Sequence, residues 1–177
     1  MVVRALMAPE ARGVPGPETL DALARLLVAG GAATAAASLL HVAILIGGPA
    51  WYRFFGAGEG MARMVERGFL YPYAVTALIA SVLGVWALYA ASGAGLIRRL
   101  PGLRGVLALI AAAYLLRGVL GVPAVLLLDG PYANELRERM TFMAVTSLLC
   151  MCLGLCYALG AAAPGGRPRA TTSRGAP

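Results

Sequence analysis

The sequence predicts an all-α, four-helix bundle embedded in a membrane, and three observations carry that reading. Mean hydropathy is +0.78 and only 13% of residues are charged, against roughly 25% in soluble domains. Four apolar runs stand out, Leu26 to Gly48, Phe69 to Ala91, Val106 to Leu128 and Thr141 to Ala163, each above the roughly 20 residues needed to cross a hydrocarbon core about 30 Å thick. None alternates with the period of two that a barrel strand would show, so helices are the structures that satisfy their own backbone in lipid. Residues 26–163 therefore form one domain. Residues 1–25 read as a cytoplasmic N-terminal segment, and residues 164–177, rich in Pro, Gly, Ser, Thr and Arg, as a disordered tail.

In the first span, Gly30, Thr34, Ser38 and His41 share one helical face. Small residues four apart let backbones approach closely in lipid, so this face is the expected seam, with His41 directed into the bundle. A cleaved signal peptide is the rival reading of this span, since "GGAATAAAS" holds small residues that suit cleavage. The long acidic and proline-containing segment before it and the length of its apolar stretch argue for a span.

The first loop opens with Trp51, Tyr52, Phe54 and Phe55, rings that settle at the headgroup level. Met61, Met64 and Val65 follow at helical spacing, with Glu59 four residues before Arg63, so a short helix in the membrane interface is expected there. The second span has Tyr71 and Tyr73 at one end and Trp86 and Tyr89 at the other, read as two aromatic belts. Pro72 falls in its first turn, where the missing N–H costs little. In the fourth span Cys150, Cys152 and Cys156 lack the C-x-x-C spacing of thiol redox or zinc chemistry and read as packing residues.

The net charge of +7 would suggest nucleic acid in a soluble protein. Here the arginines flank the spans, so their expected role is topological and nucleic acid is not an expected partner. Arg4, Arg12, Arg25, Arg98, Arg99, Arg104, Arg167, Arg169 and Arg174 lie on one side, and Arg53, Arg63, Arg67, Arg137 and Arg139 on the other. The positive-inside rule then puts both termini in the cytoplasm. The arginine-rich loop after the second span suits anionic lipid headgroups, making membrane lipids the first expected partner.

Arg117 stands at the middle of the third span. An arginine at a helix centre costs about 2.5 to 3.5 kcal/mol on insertion scales, and none of the four runs contains Asp or Glu. Its partners are therefore sought among neutral groups: His41, Thr76, Tyr114 and Ser147, which helical arithmetic places in a polar layer near the midplane, and the Val119 carbonyl freed by Pro123. Contact with Glu59 or Glu66 of the first loop is the structural alternative. A ligand bearing an anion or a carbonyl is the functional one.

One histidine in the chain argues against bis-histidine haem in a monomer. No P-loop, H-E-x-x-H or G-x-S-x-G motif appears, so hydrolytic chemistry and zinc are not expected. The four spans, the Gly-rich first span, "FFGAGEG" and "ALYAASGAG" resemble the small DoxX-like bacterial membrane proteins across residues 26–163. That resemblance implies a bacterial inner membrane and, since some members are similar to membrane subunits of quinone-linked oxidoreductases, a quinone pocket. It transfers no residue. The leading expectation is a non-enzymatic accessory membrane protein with a pocket around His41 and Arg117. A quinone-binding oxidoreductase subunit and a homo-oligomeric anion channel lined by Arg117 are the alternatives.

Overall fold

The computed structural model describes residues 17–162, and they are all helical or loop. Seven helices follow in order: α1 Pro17–Gly47, α2 Pro49–Phe54, α3 Glu59–Glu66, α4 Tyr71–Gly93, α5 Leu103–Leu127, α6 Pro131–Arg137 and α7 Met140–Ala162. Four of them, α1, α4, α5 and α7, are long and apolar enough to cross a membrane. The predicted tail lies outside the described residues, as do residues 1–16 of the predicted N-terminal segment.

The boundaries have local causes. Gly48, at φ +66°, ends α1, and Pro49 opens α2, because proline fixes the φ a first helical turn needs and has no N–H to leave unsatisfied. The same punctuation recurs at Gly130 and Pro131 before α6. At its start α1 runs nine residues further out than the apolar run, to Pro17 with Glu18 in its first turn. An acid there complements the helix dipole, so polar residues continue the helix beyond the apolar span.

Helix α1 packs chiefly on α4 and α5 on α7, and contacts of α1 with α7 and α4 with α5 join the two pairs. The α1 seam is the one its small residues mark. A Cβ on Gly31 would lie 2.7 Å from Ala90 Cβ, and one on Gly30 would lie 3.1 Å from Cys156 Cβ. Ser38 Oγ donates to the Ala80 carbonyl at 2.7 Å. Leu39, Ile46, Leu78, Leu109, Leu116, Leu148 and Leu155 point outward, as expected when the surrounding solvent is hydrocarbon.

The interior differs between its two ends. Toward the α4–α5 loop, one continuous core joins α1, α4, α5 and α7 through Leu27, Leu83, Ala90, Leu107, Ile110 and Tyr157. Toward the other end, capped by α2, α3 and α6, it divides. Ile44, Tyr52, Ala62 and Val65 form one cluster, and Val125, Leu136 and Met143 another.

Two aromatic expectations need correction. Tyr52 is fully buried rather than at the headgroup level, because its ring fills the cluster beneath α3 and its hydroxyl finds partners on α4. Trp86 stacks edge-on against Tyr114 at 5.2 Å and belongs to the core rather than to a belt. The interfacial helix in the first loop is present as α3, with Ala62 and Val65 buried and the Glu59–Arg63 pair formed at 2.9 Å.

Candidate functional site

At the end nearer the α4–α5 loop, three hydroxyls close on one another. Thr34 Oγ1 donates to the Gly30 carbonyl at 2.9 Å, which leaves its two lone pairs for Tyr114 and Tyr157, both 3.1 Å away. Thr34 and Tyr157 have no exposed surface. Tyr114 is thus committed to a saturated network in the core, which rigidifies the junction of α1, α5 and α7. It does not join the polar layer around Arg117 that helical spacing suggested.

The remaining predicted residues do share a depth. His41 lies six residues from the cap end of α1, Thr76 five from that end of α4, and Ser147 seven from that end of α7, or about 8 to 10 Å along each axis. Arg117 is ten residues from the end of α5, but its guanidinium folds over Gly121, one turn nearer the cap, and Nη1 donates to Ser147 Oγ at 3.3 Å. These residues nevertheless divide between the helix pairs, His41 and Thr76 on α1 and α4, Arg117 and Ser147 on α5 and α7. Among the described residues no hydrogen bond joins His41 to Arg117.

Beneath the cap lies a cleft of about 570 Å³, bounded by α1, α4, the α2–α3 segment and α6. That volume is in the range of small-molecule sites, and so is its composition, mostly apolar with a few placed polar groups. His41 and Thr76 line it, together with Met61, Met64, Tyr132 and Glu135. His41 Nδ1 is 2.8 Å from the Ala37 carbonyl. A carbonyl only accepts, so Nδ1 carries the proton, and in the neutral ring Nε2 is left as a bare acceptor. Thr76 Oγ1 is 3.0 Å from the Tyr52 hydroxyl, which also reaches the Pro72 carbonyl at 3.2 Å.

Arg117 does not line the cleft, though its field enters it. Burial pushes the Tyr132 hydroxyl above its ordinary pKa, while the Arg117 charge pulls it back and the Glu135 carboxylate adds to the rise. Neither Glu59 nor Glu66 reaches Arg117, because both are held by other arginines. Arg53 takes Glu59 and Glu66 at 2.7 Å each, and Arg63 takes Glu59 at 2.9 Å. Its one described hydrogen bond goes to Ser147, not to the Val119 carbonyl.

The cap is stitched across the chain. Glu135 Oε2 accepts the Glu59 backbone N–H at 2.8 Å, and the Tyr132 hydroxyl donates to the Gly56 carbonyl at 3.0 Å. Arg139 donates to the carbonyls of Arg53 and Phe54 at the end of α2. Arg137 does the same for α5, meeting the carbonyls of Val125, Leu126 and Leu128. Orphan helix-end carbonyls are in this way satisfied by guanidinium donors. Gly58 permits the crossing, since its φ of +91° strains any L residue and a Cβ would meet the Tyr132 ring at 2.8 Å.

Hydrogen bonds from Arg53 and then Arg63 hold the Glu59 carboxyl down from 4.5 to about 2, and the same contacts raise Arg53. A depressed carboxyl contributes stability that is present above its unfolded value and lost as pH falls through the folded one. The cap should accordingly loosen between about pH 4.5 and 2, by a small amount because the pair is solvent-exposed. Hydrogen exchange corrected for intrinsic rates should show protection of residues 59–66 falling over that window while the α5–α7 seam holds. Unchanged protection of α3 at pH 2 would contradict it.

Tyr52, Tyr132, Glu135 and Tyr157 were not anticipated as site or core residues. Glu135 carried the one usable signal, an acid in a short segment between two spans. No protein-family model, curated protein or solved structure matches this chain.

Proposed function

We propose that this integral membrane protein is a non-enzymatic accessory protein of a bacterial inner membrane that binds a small lipid-soluble molecule in the cleft beneath its cap. Both termini are cytoplasmic by the arginine count, which puts the cap on the outer face. His41 and Thr76 supply the polar pole of the site, and Arg117 lies beside it as a charge on the α5–α7 seam. The single observation that carries the reading is the cleft itself, a cavity of about 570 Å³ between the apolar helices α1 and α4 and the cap, with His41 Nε2 left without a protein partner among the described residues.

Native mass spectrometry of the full chain released from mild detergent tests it. Wild type should retain a discrete lipid-soluble species, and the double variant Val75→Trp/Gly60→Trp, which fills the cleft from α4 and α3, should lose it. Both positions line the cavity, and a Cβ on Gly60 meets nothing within 4 Å, so the side chain added there extends into open space. Identical adducts on the two proteins, or none on wild type, would remove the reading.

A further inference from the structure

Resting on that reading, we propose that the occupant of the cleft is a lipophilic ammonium cation, an apolar body ending in a protonated amine that donates to Glu135 and His41. Glu135 is the one carboxylate on the wall, and no arginine lines the cavity. With His41 neutral the lining therefore carries a net negative charge. One oxygen of Glu135 accepts the Glu59 N–H at 2.8 Å, and the other has no hydrogen-bond partner among the described residues. In the neutral ring His41 presents Nε2 as a second acceptor, since Nδ1 donates to the Ala37 carbonyl. The Tyr132 hydroxyl is spent on Gly56.

Glu135 and His41 thus both call for a donor, and the Thr76 hydroxyl, which accepts from Tyr52, can donate or accept. An ammonium head supplies three donors and no acceptor, and charge-assisted hydrogen bonds to a carboxylate are the strong kind. A carboxylate or phosphate head would face Glu135 unpaired, and a quinone oxygen, itself an acceptor, finds a donor at Thr76 but acceptors at Glu135 and His41. The rest of the lining suits an apolar cation. Tyr52, Phe55 and Tyr132 offer aromatic surface, which attracts cations, and Met61 and Met64 adapt to irregular apolar shapes.

The cations nearby do not reverse the sign. Arg53 is paired with Glu59 and Glu66, and Arg139, whose donors meet backbone carbonyls, shares its cavity with Glu138. Both arginines border this separate, smaller cavity of about 210 Å³ on the far side of the Gly56–Tyr132–Glu135 wall. The charge of Arg117 reaches Tyr132 and opposes the ligand, which gives the test a second arm.

The experiment compares dodecylammonium, dodecanol and dodecanoate as probes of the full chain in nanodiscs of zwitterionic lipid, with retained probe read by native mass spectrometry. Wild type should bind dodecylammonium at least about tenfold more tightly than either of the others. Glu135→Gln keeps an acceptor for the Glu59 N–H and should lose most of that preference, while Arg117→Gln should strengthen ammonium binding about two- to threefold. Dodecanoate or dodecanol bound as well as the amine, and lost in Val75→Trp/Gly60→Trp, would overturn the cation and leave the cleft standing. Binding of all three probes unaffected by that double variant would overturn both.

Discussion

Gly154→Leu should destabilise the protein by about 3 kcal/mol, at the upper end of what overpacking costs. A Cβ on Gly154 would lie 2.7 Å from Leu115 Cγ and 3.0 Å from Leu115 N, and one on Gly118 would lie 2.7 Å from Met151 Cγ and 3.0 Å from Met151 N. The two glycines are reciprocal notches, each receiving the backbone of the opposite helix, and a backbone atom cannot swing aside as a side-chain tip can. The added side chain must part α5 from α7, the most extensive helix contact in the bundle, and with it the Tyr157–Thr34–Tyr114 junction. In lipid no hydrophobic force between helices makes up the loss, because association rests on packing. Detergent-titrated unfolding checks it, with Gly105→Leu as control, since a Cβ there meets nothing within 4 Å. Unfolding of Gly154→Leu at the wild-type midpoint would mean that the helices do not approach this closely.

The spans and the α1 seam were legible because both rest on one-dimensional signals. A run of apolar residues is long enough or it is not, and Gly30, Thr34 and Ser38 recur at a helical period that needs no knowledge of the partner. Tyrosine carries no such signal. Its ring and hydroxyl suit a headgroup belt and a buried network equally, so Tyr52 and Tyr157 become core residues only when a neighbouring helix brings an acceptor. The seven residues of α6 are too few for a periodicity to register, and its position is set by Tyr132 and Glu135 reaching the first loop, contacts across more than seventy residues of chain.

The candidate site divides along the same line. Depth follows from counting residues at about 1.5 Å each, and His41, Thr76, Ser147 and the Arg117 guanidinium do share a level. Which helix pair each residue belongs to depends on how four rods choose neighbours, and no span states that. The layer therefore splits, and the cleft draws its charge from Glu135 in a loop helix rather than from the arginine inside a span. Helical counting also follows Cα atoms, whereas the Arg117 side chain travels a full turn toward the cap to settle over Gly121.

That placement gives Arg117→Leu an unusual expected sign: the variant should be more stable than wild type by about 2 kcal/mol. The insertion cost of a central arginine is about 2.5 to 3.5 kcal/mol, and the structure returns one hydroxyl hydrogen bond, worth about 1 kcal/mol. No carboxylate among the described residues pairs with Arg117. Gly121 supplies the matching half of the test. A Cβ there would run into Arg117 Nη1 and lie 2.6 Å from Ser147 Oγ; both are side-chain tips that can swing aside, so Gly121→Ala should cost wild type no more than the displaced Arg117–Ser147 hydrogen bond, about 1 kcal/mol, and cost nothing once leucine replaces the arginine. The double-mutant cycle should give a coupling of about 1 kcal/mol, within the range for residues in direct contact. Loss of stability in Arg117→Leu would instead make the guanidinium a strut of the α5–α7 seam, and additive effects of the two substitutions would take it off Gly121 altogether.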